Sequence, residues 1–140
     1  MTVSYKRPDM KNAQSIVESA TKEMKYTISL KITEEAGSTI IRNVYECFRK
    51  LGDALLVAEG IATHDHLEPV KALMKIRAEV KRPIGAIENL RQMRHNINYY
   101  GYIPTLAEVN DAINIAKTLF EPLYHEIKNT MCHSTLKCGV

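Results

Sequence analysis

The sequence has few cysteines and no long hydrophobic run, and both absences exclude a class of protein. Only 3 of its 140 residues are cysteine, and two of these, Cys132 and Cys138, lie close to the C-terminus. Because the number of cysteines is odd and two of them lie close together, the sequence predicts reduced thiols in a cytoplasmic protein rather than a disulfide framework. The longest apolar run, residues 54–58, is far shorter than the roughly 20 residues of a membrane span. No apolar segment follows the charged N-terminus, so we expect neither a membrane protein nor a secreted precursor.

Strand signals are also missing, whereas helical periodicity is present along most of the chain. No stretch alternates apolar and polar residues over a useful length, and no Asn-Gly or Asp-Gly pair marks a hairpin. Apolar residues instead recur every three or four positions in five segments, at about residues 10–30, 34–59, 63–81, 83–100 and 105–128. Short connections favour antiparallel neighbours. The sequence therefore predicts an all-α, up-down bundle of about five helices.

Local signals place the ends of these helices. Asp9 is suited to cap the first helix, Gly60 to end the second, and Pro83 to begin the fourth. Thr105 and Glu108 have the spacing of a capping box at the start of the last helix. These signals predict one bundle over residues 10–128, with an N-terminal extension at 1–9 and a frayed tail at 129–140.

The net charge of +3 hides an uneven distribution along the chain. Residues 32–70 contain three Lys and Arg against seven Asp and Glu, so this segment is acidic. Residues 71–94 contain seven Lys and Arg against two Asp and Glu, a local charge of +5. A basic segment of this kind indicates either contact with a nucleic acid or phosphate, or simply a solvated helix face.

The basic segment ends in an unusual stretch, residues 90–102, which is rich in arginine, asparagine and tyrosine. Helical spacing brings Arg91, Arg94 and Asn98 to one edge, with His95 one turn after Arg91. Two guanidinium groups beside an amide suit a phosphate, because arginine offers a planar fork of donors. The alternative is that these residues pair with acidic side chains of a neighbouring helix, of which three are available: Glu46, Asp53 and Glu59.

Two parts of the chain resemble HEPN domains. Residues 45–60, followed by Asp65 and His66, resemble the second and third helices of that family, with an aromatic residue, an Ala-Leu-Leu core, a glycine and then Asp-His. Residues 94–102, followed by Pro104 and a capped amphipathic helix, resemble the family's Arg-Asn-x-Ile-x-His-Tyr-Gly stretch and its final helix. The likeness covers about residues 10–128.

The resemblance implies a homodimeric bundle that is often a metal-independent endoribonuclease. In many members it implies a toxin that is partnered with a minimal nucleotidyltransferase antitoxin. Active members carry Arg, four to six residues, and then His. Arg94 matches the Arg, but Tyr99 holds the His position and His95 holds the Asn position. Arg94, His95 and Tyr99 are therefore the candidate catalytic residues.

This departure bears on catalysis. Cleavage of RNA without a metal needs a base, an acid and positive charge at the phosphate. A phenol with a pKa of about 10 is a poor proton shuttle near neutrality. We therefore expect a weak or inactive domain that associates with RNA or a nucleotide. An active ribonuclease toxin and a non-catalytic interaction module remain the alternatives.

The resemblance also assigns roles to other polar and aromatic residues. Asp65 and His66 match the family's helix-opening pair. A tyrosine after the motif can be adenylylated by the partner enzyme, which makes Tyr100 and Tyr102 candidates. The alternative for these tyrosines is an aromatic cap on the bundle or a contact across a dimer.

No metal or cofactor site is expected. His64 and His66 are two residues apart and would point about 160° apart on a helix. The histidines and cysteines near the C-terminus lack the spacing of a zinc site. The chain has no glycine-rich phosphate loop, no nucleophile elbow and no pair of catalytic carboxylates.

Overall fold

The computed structural model describes residues 3–63, 65 and 67–138, with side chains for residues 5–62, 65 and 67–132. It confirms the all-α class and the predicted number of helices. The five helices are α1 (Met10–Ser29), α2 (Gly37–Glu59), α3 (Leu67–Met74), α4 (Ala86–Tyr100) and α5 (Leu106–Cys138). None of these helices is both long enough and apolar enough to cross a membrane.

Helix α2 forms the centre of the bundle and packs against each of the other four helices. Its apolar residues recur at helical spacing on more than one face, so most of its length is buried. The rings of Phe48 and Phe120 meet edge to face, with centroids 5.7 Å apart, and join α2 to α5. The largest fully buried side chains are Tyr45, Phe48, Met24, Ile40, Ile41, Leu51, Leu73, Ile87, Ile115, Leu119, Leu123 and Ile127.

The caps predicted at three helix ends are present. The Asp9 carboxylate accepts a hydrogen bond from the Asn12 backbone N–H at 3.0 Å, at the start of α1. Thr105 and Glu108 form the reciprocal bonds of a capping box, at 2.9 and 3.2 Å, before α5. Gly60 ends α2 in the left-handed conformation, with φ of 74°. Each of these signals is local in sequence, which explains why it can be recognised without the fold.

Two short strands, which no alternation in the sequence indicates, accompany the five helices among the described residues. Strand β1 (Val3–Tyr5) pairs antiparallel with β2 (Ile61–Thr63), with Val3 opposite Thr63. The left-handed turn at Gly60 directs the chain from α2 into β2. A side chain at Gly60 would overlap the backbone carbonyl of Lys6. Three residues are too few to show a period of two, and the pairing is distant in sequence.

The third and fourth helices are shorter than the sequence predicts. Helix α3 ends at Met74 rather than near residue 81, and the half-buried Ile76 and Val80 pack against the core from a segment that is not helical. Helix α4 begins at Ala86 rather than at Pro83. The carbonyl of Pro83 accepts a hydrogen bond from the Ala86 N–H, a tight turn that precedes the helix.

Helix α5 continues through Pro122 and past the predicted boundary at residue 128, as far as Cys138. Met131, in the segment predicted as a tail, is buried against the bundle. Cys47 is a buried free thiol and Cys132 an exposed one. The side chain of Cys138 lies outside the described part of the chain.

Candidate functional site

The predicted phosphate edge of α4 lies against α2, and the two helices run antiparallel along their contact. Near the C-terminal end of α4, an Nη1 donor of Arg42 lies 3.3 Å from the Asn98 amide oxygen and donates to it. One turn earlier on α4, the Arg94 guanidinium carbon lies 5.4 Å from the ring centroid of Tyr45. We call the line of Arg42, Arg49, Arg91 and Arg94 the α2–α4 seam.

Tyr45 lies beneath the seam and is almost completely buried, with 1% of its surface exposed. Burial raises the pKa of its phenol, and the positive charges of Arg94, then Arg49 and Arg91, act in the opposite direction. The ring therefore stays neutral and offers its face to the Arg94 guanidinium. This cation–π contact is stronger than an exposed one because its surroundings are partly desolvated.

Two of the four arginines already have carboxylate partners. Arg49 pairs with Glu46, with its Nε 2.8 Å from the carboxylate oxygen, and also lies 3.5 Å from Asp53. Arg91 pairs with Glu88 of its own helix at 2.5–2.7 Å. Glu46 and Asp53 thus pair with Arg49 of α2. The alternative to a phosphate site was that they pair with Arg91 or Arg94, and the described residues show no such pair. Glu59 is exposed at the other end of α2.

The remaining two arginines differ from this pattern. Within the described residues, Arg94 contacts the Tyr45 ring but no carboxylate. Arg42 is exposed and its described bond is to the neutral amide of Asn98. The seam therefore presents two guanidinium groups whose charge is not balanced by a carboxylate in the described part of the chain. Such groups can donate charge-assisted hydrogen bonds to an anion.

His95 has different surroundings from Arg94, although the two residues are adjacent. The His95 ring lies 4.7 Å from the Tyr99 ring and 5.8 Å from the Tyr100 ring, measured between centroids. Tyr99 and Tyr100 are 72% and 76% exposed. Consecutive helical residues point about 100° apart, so Arg94 faces α2 while His95 faces this aromatic group. The structure thus brings His95 and Tyr99 together but separates both from the Tyr45 contact of Arg94.

Tyr102 is fixed by the capping box of α5. Its hydroxyl donates to the Glu108 carboxylate at 2.6 Å, and this bond raises the pKa of Tyr102. The pKa of Glu108 is lowered, mainly by the bond from the Thr105 backbone N–H and then by the bond from Tyr102. The Tyr102 hydroxyl is therefore engaged, whereas Tyr100 is exposed on the preceding helix. Of the two predicted modification sites, Tyr100 is the more accessible.

Asp65 lies just before the start of α3. One of its carboxylate oxygens accepts a hydrogen bond from the Leu67 backbone N–H at 2.9 Å. This bond satisfies one backbone N–H at the start of α3. His66 and His64 lie outside the described residues. Among the residues described, no three His, Cys, Asp or Glu side chains form a group that could hold a metal ion.

Helix α2 contributes three site residues that were not predicted from the sequence, although its acidic residues were considered as neighbours of the α4 edge. Arg42, Tyr45 and Arg49 lie at positions i, i+3 and i+7, a spacing that places them on one helix face. That spacing was available as a signal. It indicates a site only when this face of α2 is known to pack antiparallel to α4, and local periodicity does not show that packing.

Comparison of the chain with family models, with curated proteins and with solved structures finds no match in any of the three. The function is therefore argued from the residues of the site and from their geometry.

Proposed function

We propose that this chain is an HEPN-like helical domain of the cytoplasm that binds RNA or a nucleotide through phosphate groups at the α2–α4 seam. We further propose that it is a weak or inactive ribonuclease scaffold. The observation that carries the proposal is the set of contacts that the Arg94 guanidinium makes. Its guanidinium rests on the buried ring of Tyr45 and has no carboxylate partner within the described residues.

This arrangement supports phosphate binding for two reasons. The Tyr45 ring restricts the Arg94 side chain before any ligand arrives, so less conformational entropy is lost on binding. Arg42 adds a second guanidinium on the facing helix, beside Asn98. The planar fork of each guanidinium matches the oxygens of a phosphate.

The same geometry favours binding over cleavage. Arg94 can stabilise negative charge on a phosphate but cannot transfer a proton. His95 lies against the rings of Tyr99 and Tyr100, on a different side of the helix from the Arg94 contact. A phenol in the place of the family's histidine is a poor acid and base near neutrality.

The proposed partners follow from the family resemblance. A homodimer would bring two seams to one RNA molecule. In a toxin–antitoxin module, a minimal nucleotidyltransferase would modify a tyrosine, and the exposed Tyr100 is the better placed of the two candidates. Both partners belong to the proposal.

The test measures the binding and the integrity of a fluorescently labelled RNA in the presence of EDTA. We expect the wild-type protein to bind the RNA at low salt and to leave it intact. Arg94→Ala should weaken binding by about tenfold to a hundredfold, the usual effect of losing hydrogen bonds from a charged group. Arg77→Ala, which removes the same charge from an exposed position away from the seam, serves as the control.

The other outcomes are equally informative. Failure of the wild-type protein to bind at low salt, where phosphate contacts are strongest, contradicts the proposal. RNA cleavage that disappears in both Arg94→Ala and His95→Ala would establish an active ribonuclease instead of a binding domain.

A further inference from the structure

The C-terminal end of α4 carries a cluster of exposed aromatic side chains that the phosphate contacts do not use. Five of the eight exposed large hydrophobic residues in the described part of the chain lie within residues 99–106. Tyr99 and Tyr100 are the most exposed tyrosines of this surface, and both contact the His95 ring. We call His95, Tyr99 and Tyr100 the aromatic cluster.

We infer that the aromatic cluster is a stacking site for unpaired nucleobases, which makes the ligand of the seam a single-stranded nucleic acid. This inference rests on the proposed function, because it assumes that phosphates bind at the seam. It narrows that function from any nucleotide or RNA to a strand whose bases are accessible.

The position of the cluster supports a continuous path for such a strand. Asn98, which binds Arg42 in the seam, is followed directly by Tyr99. His95 likewise follows Arg94 directly. His95 and Tyr99 therefore lie about 100° around α4 from Arg94 and Asn98, on a helix only about 10–12 Å wide. A strand with its phosphates on Arg94 and Arg42 can place an adjacent base on Tyr99.

The geometry of the cluster also suits stacking. The planes of the His95 and Tyr99 rings are tilted by 43° and their centroids lie 4.7 Å apart, so the His95 ring packs against part of the Tyr99 ring. The tyrosine is still 72% exposed, which leaves ring surface for a ligand. Bases stack on exposed aromatic rings with little preference for sequence. In a duplex, the faces of the bases are already covered by their neighbours.

Charge favours a nucleic acid strand over a second copy of this chain as the occupant of the cluster. A symmetric contact places the same surface of both copies together. A direct contact between two copies through this cluster, with no RNA between them, would bring Arg42 and Arg94 of both copies near one another, and these charges have no carboxylate partner in the part of the chain that the structure describes. A strand of RNA instead supplies phosphates beside its bases.

The experiment compares three ligands with equal numbers of phosphates: a single-stranded RNA, an abasic oligomer and a fully paired RNA duplex. The wild-type protein should bind the single strand about tenfold or more tightly than the abasic oligomer. The double variant Tyr99→Leu, Tyr100→Leu should lose this difference while it keeps the affinity of the wild type for the abasic oligomer. Tyr26→Leu, at a 64% exposed tyrosine of α1, is the matched control and should change nothing.

Each contrary result has a distinct meaning. Equal wild-type affinity for the single strand and the abasic oligomer overturns this inference but leaves the proposed phosphate site intact. Absence of binding to all three ligands overturns both. A double variant that changes from dimer to monomer in sedimentation, with unchanged preference for the single strand, identifies the cluster as a contact between copies and also overturns the inference. Because both tyrosines are exposed, circular dichroism should confirm that the variants fold.

Discussion

Arg91 and Arg94 lie three residues apart on the same helix, yet their surroundings give them different roles. Arg91 donates to Glu88 of its own helix at 2.7 Å, so a phosphate would compete with a carboxylate for its donors. Arg94 lies over the ring of Tyr45, a contact that holds the guanidinium without neutralising its charge. We therefore propose that the ring of Tyr45 positions Arg94 for an anion.

Substitutions of Tyr45 test this claim. Tyr45→Phe keeps the ring and should retain the RNA affinity of the wild type. Tyr45→Leu removes the ring and should weaken binding by roughly twofold to thirtyfold, the range expected for a cation–π contact. Affinity is measured by fluorescence anisotropy at fixed salt.

The control for Tyr45→Leu is Phe48→Leu. Phe48 is also a buried aromatic residue of α2, but its ring packs on Phe120 rather than on Arg94. Both leucine variants should lose stability, and only Tyr45→Leu should lose affinity. Equal losses of affinity in the two variants would mean that Tyr45 acts through the core alone.

The close packing of α3 on α2 depends on one glycine. Gly52 lies in the middle of α2, where α3 crosses it, and an added Cβ would overlap the carbonyl of Pro69 and come 2.8 Å from the Pro69 Cα. Backbone atoms cannot move aside as a flexible side chain can. The approach of α3 to α2 therefore requires glycine at this position.

Gly52→Ala should destabilise the protein by about 1–3 kcal/mol, the usual cost of overpacking a core. Gly85→Ala is the matched control, since a Cβ there meets nothing within 4 Å and its φ of −55° suits alanine. Its stability should stay the same or increase by about 0.4–1 kcal/mol. Urea unfolding measures both values. A Gly52→Ala variant as stable as Gly85→Ala would contradict the described packing of α3.

The capping box of α5 should make stability depend on acid. The pKa of Glu108 is lowered in the folded protein, chiefly by the Thr105 backbone N–H. A carboxylate with a lowered pKa stabilises the fold above its unfolded pKa, and this stabilisation is lost as the pH falls through the folded pKa. Wild-type protein should therefore be more stable than Glu108→Gln near neutral pH, and the difference should shrink in acid.

Thermal unfolding at about pH 7 and about pH 3 measures this difference. Glu121→Gln, an exposed position on the same helix, is the control and should show no such change. A constant difference between wild type and Glu108→Gln at both pH values would show that the carboxylate charge does not contribute.

The helices could be predicted from the sequence to the extent that their signals are local. Asp9, Gly60 and the Thr105–Glu108 box mark helix ends through contacts within a few residues. The β1–β2 pairing and the early end of α3 depend on contacts that are distant in sequence, and local patterns do not contain them. The edge of α4 was predicted for the same local reason, and acidic residues of α2 were considered as its neighbours, whereas the contribution of Arg42, Tyr45 and Arg49 was not predicted.

Charge along the chain is a poor guide to charge in space. The basic segment at residues 71–94 is partly neutralised by a residue outside it, since Arg82 pairs with Asp111 at 2.7 Å, and within the segment Arg91 pairs with Glu88. The acidic segment at residues 32–70 nevertheless supplies Arg42 to the seam. The proposed anion site is thus assembled from both segments by the packing of α2 against α4.

The salt dependence of RNA binding tests directly whether Arg94 contacts a phosphate. The logarithm of the association constant falls linearly with the logarithm of salt concentration, with a slope of roughly −0.7 for each phosphate contact with a single strand. Arg94→Ala should make this slope less steep by about 0.7, and the control Arg77→Ala should leave it unchanged. An unchanged slope in Arg94→Ala, or an equal change in Arg77→Ala, would contradict a phosphate contact at Arg94.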